Sequence, residues 1–105
     1  MKITDLKIDI HRREPSPTPK RDALQALPGS GAVRVTLETD DGITGTGESG
    51  FGRIAGAPDA LAAVIEHELK PIIIGQDPNY VRGLHAEMLR ETEYHGSFGL
   101  VMFGI

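Results

Sequence analysis

The sequence holds no cysteine and no tryptophan, and only 5% of its residues are aromatic. Without cysteine there is no disulfide framework, no thiol nucleophile and no thiolate metal site. Such a chain has the cytoplasm as its default location. Long apolar runs are missing as well. No stretch approaches the roughly 20 consecutive apolar residues that span a bilayer. The opening MKITDLKIDI has neither a continuous apolar segment nor a small-residue cleavage site, so it reads as mature structure and not as a signal peptide. An excess of positive charge is also absent: 11 Lys and Arg stand against 15 Asp and Glu, a formal net charge of −4. That balance gives no general attraction to nucleic acid or to anionic membrane, so neither partner is expected. The basic group Arg12, Arg13, Lys20 and Arg21 has no aromatic interleaving and does not change this.

What is present is globular in composition: 105 residues, 39% hydrophobic and 25% charged. That is one domain at the small end of what buries its own core. Residues 2–10 alternate as a strand, with Leu6, Ile8 and Ile10 on one face; Ile3 falls out of that register, which predicts a bulge. The polar, proline-rich segment 11–22 is expected to be an exposed loop, with a short helical turn over 23–27. A second strand, AVRVTLET (32–39), alternates cleanly, with Val33, Val35 and Leu37 on one face. Asp40-Asp41-Gly42 is a hairpin signal, and ITGTGES returns as a third strand. After a glycine-rich loop over 50–57 the period changes to 3.6. Leu61, Val64, Ile65, Leu69 and Ile72 make one helical stripe, opened by Pro58-Asp59 and ended or tightened by Pro71 and Gly75. A second helix restarts at Asp77-Pro78, with Val81, Leu84, His85, Met88 and Leu89 as its stripe and His85 partly buried in it. The fold class expected is α+β: a three-stranded antiparallel meander followed by a helical part.

The string Gly45-Thr46-Gly47-Glu48-Ser49-Gly50 spells G-x-G-x-x-G. A dinucleotide site needs a buried parallel strand running into the glycines and a helix starting on the third. Here a hairpin turn lies just upstream, and Phe51 to Pro58 delays the helix. The spacing therefore assigns Gly45 and Gly47 to a returning strand that tolerates close approach. No G-x-S-x-G elbow occurs, and Glu66-His67-Glu68 diverge around a helix and make no metal site. The residues form no nucleophile–base–acid set, so catalytic residues and metal ligands are not read from these motifs.

Four segments taken in order, MKITDLKI, VRVTLETDDGITGTGE, ELKPIIIGQDP and GSFGLVMFGI, resemble the N-terminal capping domain of the enolase superfamily, in its mandelate racemase and muconate lactonizing group. The resemblance spans essentially the whole chain. Thr46 departs from it, since that group usually carries a large aromatic there. The resemblance implies a cap over residues 1–95, with 96–105 beginning the helix that leads to a (β/α)-barrel absent from these residues. It implies an Mg²⁺-dependent enzyme whose metal ligands and base lie in that barrel, acting on a small carboxylate. Dehydration of a sugar acid is the first expectation and racemisation or epimerisation the second, with a homo-oligomer at full length. A stand-alone α+β binding module is the alternative. By resemblance, two loops close over the substrate, residues 14–31 and 49–57. The candidate substrate contacts are Lys20 and Arg21 in the first loop, Ser49, Phe51 and Arg53 in the second, and His95 near the domain junction. Each also has a plainer reading, as solvated charge, loop anchor or hinge residue. The apolar run at 100–105 has no later element to bury it, which suits the front part of a longer protein.

Overall fold

The computed structural model describes residues 1–27, 29, 31–50, 55–96 and 99–105. Three strands form one antiparallel sheet in the order β1 (Ile3–Arg12), β4 (Gly31–Thr39), β5 (Thr44–Gly50). Between β1 and β4 lies a two-stranded hairpin, β2 (Lys20–Arg21) with β3 (Ala26–Leu27). It replaces the helical turn expected at 23–27. The reason is local: the Asp22 carboxylate Oδ1 accepts from the N–H groups of Leu24 and Gln25, both at 2.8 Å, and Asp22 N–H donates to Gln25 O at 3.0 Å. An aspartate that captures the next backbone donors favours a turn over a helix.

The alternation of the strands sets the core. Leu6, Leu37 and Gly45 lie in one row, Ile8, Val35 and Gly47 in the next, Ile10, Val33 and Ser49 in the third. The predicted bulge is present: Ile3 pairs with Thr39 and Asp5 with Glu38, so Thr4 is the extra residue. It returns Ile3 to the face of Leu6, and both are buried. The opposite face is polar and cross-paired, with Lys7 Nζ donating to Glu38 at 2.6 Å and Arg34 Nη2 to Glu48 at 3.0 Å. At the β4–β5 turn, Gly42 takes φ 78°, and Thr39 donates to Ile43 O through both N–H (3.2 Å) and Oγ1 (2.7 Å).

A continuous helix covers the inner face in three parts: α1 (Ala57–Val64), a π-helical turn (Ile65–Leu69) and α2 (Lys70–Ile73). Pro71 was expected to end or tighten this helix, yet the helix runs through it. Proline lacks the N–H for an i−4 bond and its ring crowds that carbonyl. The wider turn, closed by Lys70 N–H on Ile65 O, lies immediately before it. It also serves packing. Leu61, Ile65, Leu69 and Ile73 are all buried at a spacing of four, and each such step overshoots an α-turn by about 40°. One wide turn restores the stripe to the sheet, which is why Ile73 occupies the place predicted for Ile72. Lys70 ties this end of the helix to β1, its Nζ 3.1 Å from Asp5 Oδ1.

The second long helix, α3 (Val81–Glu91), begins later than Asp77-Pro78 predicts. Asp77 Oδ1 accepts from Asn79 N–H and Nδ2 at 2.9 and 3.1 Å, and Tyr80 N–H donates to Asp77 O, so aspartate and proline make a separate turn. Leu84 and Met88 are half-buried, no residue of α3 is fully buried, and His85 is exposed, contrary to the stripe reading. The helix stands off the sheet and leaves an open apolar groove of about 230 Å³ between them. A short α4 (Leu100–Gly104) folds back on the long helix. Val101 is 4% exposed, and a Cβ on Gly104 would lie 2.9 Å from Leu69 Cδ1 and 3.2 Å from Ile65 Cγ1. The C-terminal apolar run thus finds a partner within the chain, although Met102 and Phe103 remain partly exposed. Among the described residues no helix is long and apolar enough to cross a membrane.

Candidate functional site

Strand pairing brings the two long connections to one end of the sheet. Arg12, the last residue of β1, pairs with Gly31, the first of β4, and Ala32 pairs with Gly50, the last of β5. The first connection therefore leaves and returns where the second begins. Gly31 is required at that junction: its φ is 120°, and a Cβ there would fall 2.1 Å from His11 O. The second connection ends at Gly56 and Ala57, where α1 starts.

Arg12 locks this end. By alternation it lies on the inner face with Ile8 and Ile10, towards α1. Its Nη1 and Nη2 donate to the two oxygens of Asp59 at 2.6 and 2.5 Å, a forked, charge-assisted pair. Asp59 sits in the first turn of α1, where a negative charge is favoured by the exposed N–H groups. The hydrogen bond from Arg12 holds the Asp59 carboxyl below its ordinary value and raises Arg12 in return. Beside the pair is a concavity of about 320 Å³, lined by Arg12, Arg13, Glu14, Pro15, Gly29 and Ala55. It lies between the start and end of the first connection and the last part of the second.

The residues singled out from sequence are distributed unevenly. Lys20 and Arg21 form β2, both exposed, in the hairpin whose tip carries Leu24 at 93% exposure. Ser49 lies half-buried on β5 opposite Val33, at the loop end of the sheet. Phe51 and Arg53 lie outside the described residues. His95 is exposed in a 3₁₀ turn (Glu93–His95), its Nε2 3.6 Å from Glu68 Oε1. Glu68 is nine residues beyond Asp59, about 13 Å along the helix at 1.5 Å per residue. His95 is thus near the opposite end from the two connections. Arg12 and Asp59 were missed, though the parity of β1 and the acid after Pro58 could have paired them.

The glycines of the G-x-G-x-x-G string are in β5, antiparallel to β4, and the helix begins seven residues after Gly50. That geometry is not a phosphate cradle. Nor does close approach require the glycines: a Cβ on Gly45 would meet nothing within 4 Å and one on Gly47 only Val35 Cγ2 at 3.6 Å. Among the described residues no three His, Asp or Glu side chains stand together to hold a metal. The donors among the described residues do not fit a magnesium centre.

A family model described as mandelate racemase / muconate lactonizing enzyme, N-terminal domain, matches residues 7–100. An arabinonate dehydratase of Saccharolobus solfataricus is 34% identical over 73 residues, covering 70% of this chain and 19% of that protein. A D-galactonate dehydratase of Verminephrobacter eiseniae is 40% identical over 60 residues, covering 57% and 15%. The crystal structure of a racemase from Streptomyces coelicolor A3(2) with bound magnesium superposes with a TM-score of 0.71 at 23% identity, over 94% of this chain and 27% of that one. The chain spans less than a fifth of the length of either dehydratase.

Proposed function

Because the chain belongs to the N-terminal domain family of mandelate racemase and muconate lactonizing enzyme, we propose that it caps the active site of an enzyme that removes a proton α to a carboxylate. Dehydration of a sugar acid is the reaction we assign. In it the α-proton is taken by a base, the β-hydroxyl leaves as water, and the resulting enol becomes a 2-keto-3-deoxy acid. Residues 1–95 act as the cap and 96–105 begin the connection to a (β/α)-barrel, which carries the base and the ligands of Mg²⁺. No group of this chain takes part in the chemical step.

The observation that carries the reading is the convergence of both long connections at one end of the sheet, framing a concavity lined in part by Arg12, Arg13 and Glu14. Loops on a rigid platform can exclude water from a charged intermediate, which strengthens every electrostatic interaction on it. The names of the two similar dehydratases point to five- and six-carbon sugar acids. Ser49, Lys20 and Arg21 belong to the same loop end, and Phe51 and Arg53 to the same connection, as substrate contacts. Racemisation is the second reading, favoured by the fold shared with the Streptomyces racemase.

The test is an assay of the complete protein that carries this chain, with Mg²⁺, against a library of aldonic and aldaric acids and N-acylated amino acids. Formation of a 2-keto-3-deoxy acid is the expected outcome. Inversion of a stereocentre without dehydration supports the second reading, and inertness towards all of them removes both.

A further inference from the structure

The two edges of the sheet are treated differently. At its start β1 is closed on the outside, where Ile3 N–H donates to Gln76 O at 2.9 Å and Gly75 N–H donates to Ile3 O at 2.8 Å. The strand also carries a bulge and Lys7. Bulges, lysines and covering segments are what keep a strand edge from pairing with another chain. β5 has none of these. Its seven residues, TGTGESG, hold no lysine and no proline, pair with β4 in one unbroken register, and are exposed except for Ser49. Which groups stand open follows from the turn. Thr39 lies opposite Ile43 and donates its N–H to that carbonyl at 3.2 Å. Hydrogen-bonded pairs therefore recur at Leu37–Gly45, Val35–Gly47 and Val33–Ser49. The N–H and C=O groups of Thr44, Thr46, Glu48 and Gly50 point away from β4. Among the described residues none of them makes a backbone hydrogen bond outside the sheet.

Those groups match a second copy of the same strand. Antiparallel pairing about a twofold axis through Gly47 sets Thr44 against Gly50 and Thr46 against Glu48, so that all the open residues exchange both bonds. Gly47 then faces Gly47 of the copy across a non-bonded pair. That is the closest approach in such a ladder, about 4.5 Å between Cα atoms, and no side chain stands in the way. Charge and turn geometry select this register. An axis through Glu48 sets two carboxylates face to face, and one through Thr46 carries Gly50 onto Gly42, which belongs to the turn at φ 78°. About Gly47 each outer-face row runs Lys7, Thr36, Thr46 and then Glu48, Arg34 and Asp9 of the copy, with no like charges adjacent. We infer that β5 pairs with β5 of a second copy, so that two caps share one continuous antiparallel sheet. The second connections leave the seam at opposite ends, each beside the exposed Ile43 of the other copy. One strand pair is a small interface, so the dimer is expected to dissociate on dilution. The pairing is independent of the reaction proposed above.

The experiment uses the complete protein that carries this chain. Particle mass by sedimentation over a wide dilution range, and backbone hydrogen exchange, are measured for wild type, Thr46→Pro, Thr46→Glu and Thr46→Lys. The Thr46 N–H points outwards, so proline there removes a bond to the copy and none within the chain. The wild-type particle should halve in mass on dilution, with the amides of Thr46 and Glu48 slow to exchange only in the associated form. Thr46→Pro should abolish that step. Thr46→Glu sets a carboxylate opposite Glu48 of the copy and should weaken association by about threefold or more, whereas Thr46→Lys faces the same carboxylate and should not weaken it. Thermal unfolding at the lowest concentration shows which variants keep the fold, and the glutamate and lysine variants decide the matter if proline disturbs it. A wild type that is monomeric throughout overturns the inference, as does an assembly that a folded Thr46→Pro leaves unchanged. Protection of the Thr46 and Glu48 amides in the dissociated form, which would mean that another part of the same protein covers the edge, overturns it too. Equal association in the glutamate and lysine variants has the same consequence. None of these results bears on the capping reading.

Discussion

Arg12 and Asp59 are joined by two parallel hydrogen bonds, 2.6 and 2.5 Å long, across 47 residues of sequence. The bond connects the point where the first long connection leaves β1 to the helix that follows the second. A strand end and a helix start are thereby held in register, and the concavity between the connections keeps its shape. At the other end of the same helix Lys70 grips Asp5 at 3.1 Å. One helix is pinned to one strand at both ends.

Acid should loosen both pins. The hydrogen bond from Arg12 holds Asp59 below the ordinary 3.8, and the one from Lys70 does the same for Asp5. A carboxyl with a lowered folded value contributes stability that is fully present above its unfolded value and disappears as pH falls through the folded one. Thermal midpoints measured between about pH 5 and pH 2 should therefore drop, and the drop should shrink in Asp59→Asn and again in Asp5→Asn. The Arg12–Asp59 pair is exposed and the Lys70–Asp5 pair half-buried, so the effect is modest and weakens with salt, more for the first than for the second. An unchanged acid slope in the double variant would remove these pins from the account.

Two glycines should behave in opposite ways. Gly31→Ala places a methyl group 2.1 Å from His11 O at φ 120°, and a loss of about 1–3 kcal/mol or more is expected in denaturant unfolding. Gly47→Ala meets only Val35 Cγ2 at 3.6 Å and should stay within about 0.5 kcal/mol of wild type. The letters of the G-x-G string thus matter less than a glycine outside it.

Much of this architecture is legible from alternation alone. Leu6, Ile8 and Ile10 against Val33, Val35 and Leu37 define the inner face, and the misfit of Ile3 locates the bulge before any coordinates are known. The π turn is not legible, because a spacing of four from Leu61 to Ile73 looks like an imperfect α stripe until the sheet demands a straight one. The hairpin within 14–31 escapes for a different reason. Its strands are two residues each, and the decisive term is the capture of two backbone donors by Asp22, which composition cannot signal. His85 illustrates the limit of periodicity: it lies on the stripe, but the helix stands away from the sheet and leaves it exposed. At the candidate site, Lys20 and Arg21 drew attention as a basic pair, whereas Arg12 and Asp59 meet only because parity and a helix start coincide in space.

The core should be centred on α1. Leu61 is fully buried at 0% exposure, and Leu61→Ala is expected to cost about 2–5 kcal/mol in equilibrium unfolding. Leu24→Ala, at the 93% exposed tip of the hairpin, should leave stability within about 0.5 kcal/mol. A comparable loss at both would mean that the hairpin tip is packed in solution.

The fold-back of α4 makes its own prediction. Val101→Ala should destabilise by about 2 kcal/mol, because the side chain is buried against the long helix. Loss of near-native stability only on substitution of the exposed Met102 would contradict that packing.

The most direct measurement of the central claim is exchange of the α-proton of sugar acids for solvent deuterium, followed by NMR, with the complete protein that carries this chain. The account predicts exchange or dehydration of at least one aldonate, abolished by chelation of divalent metal. The absence of α-proton exchange on every sugar acid, hydroxy acid and N-acylated amino acid tried, with Mg²⁺ present, would contradict it.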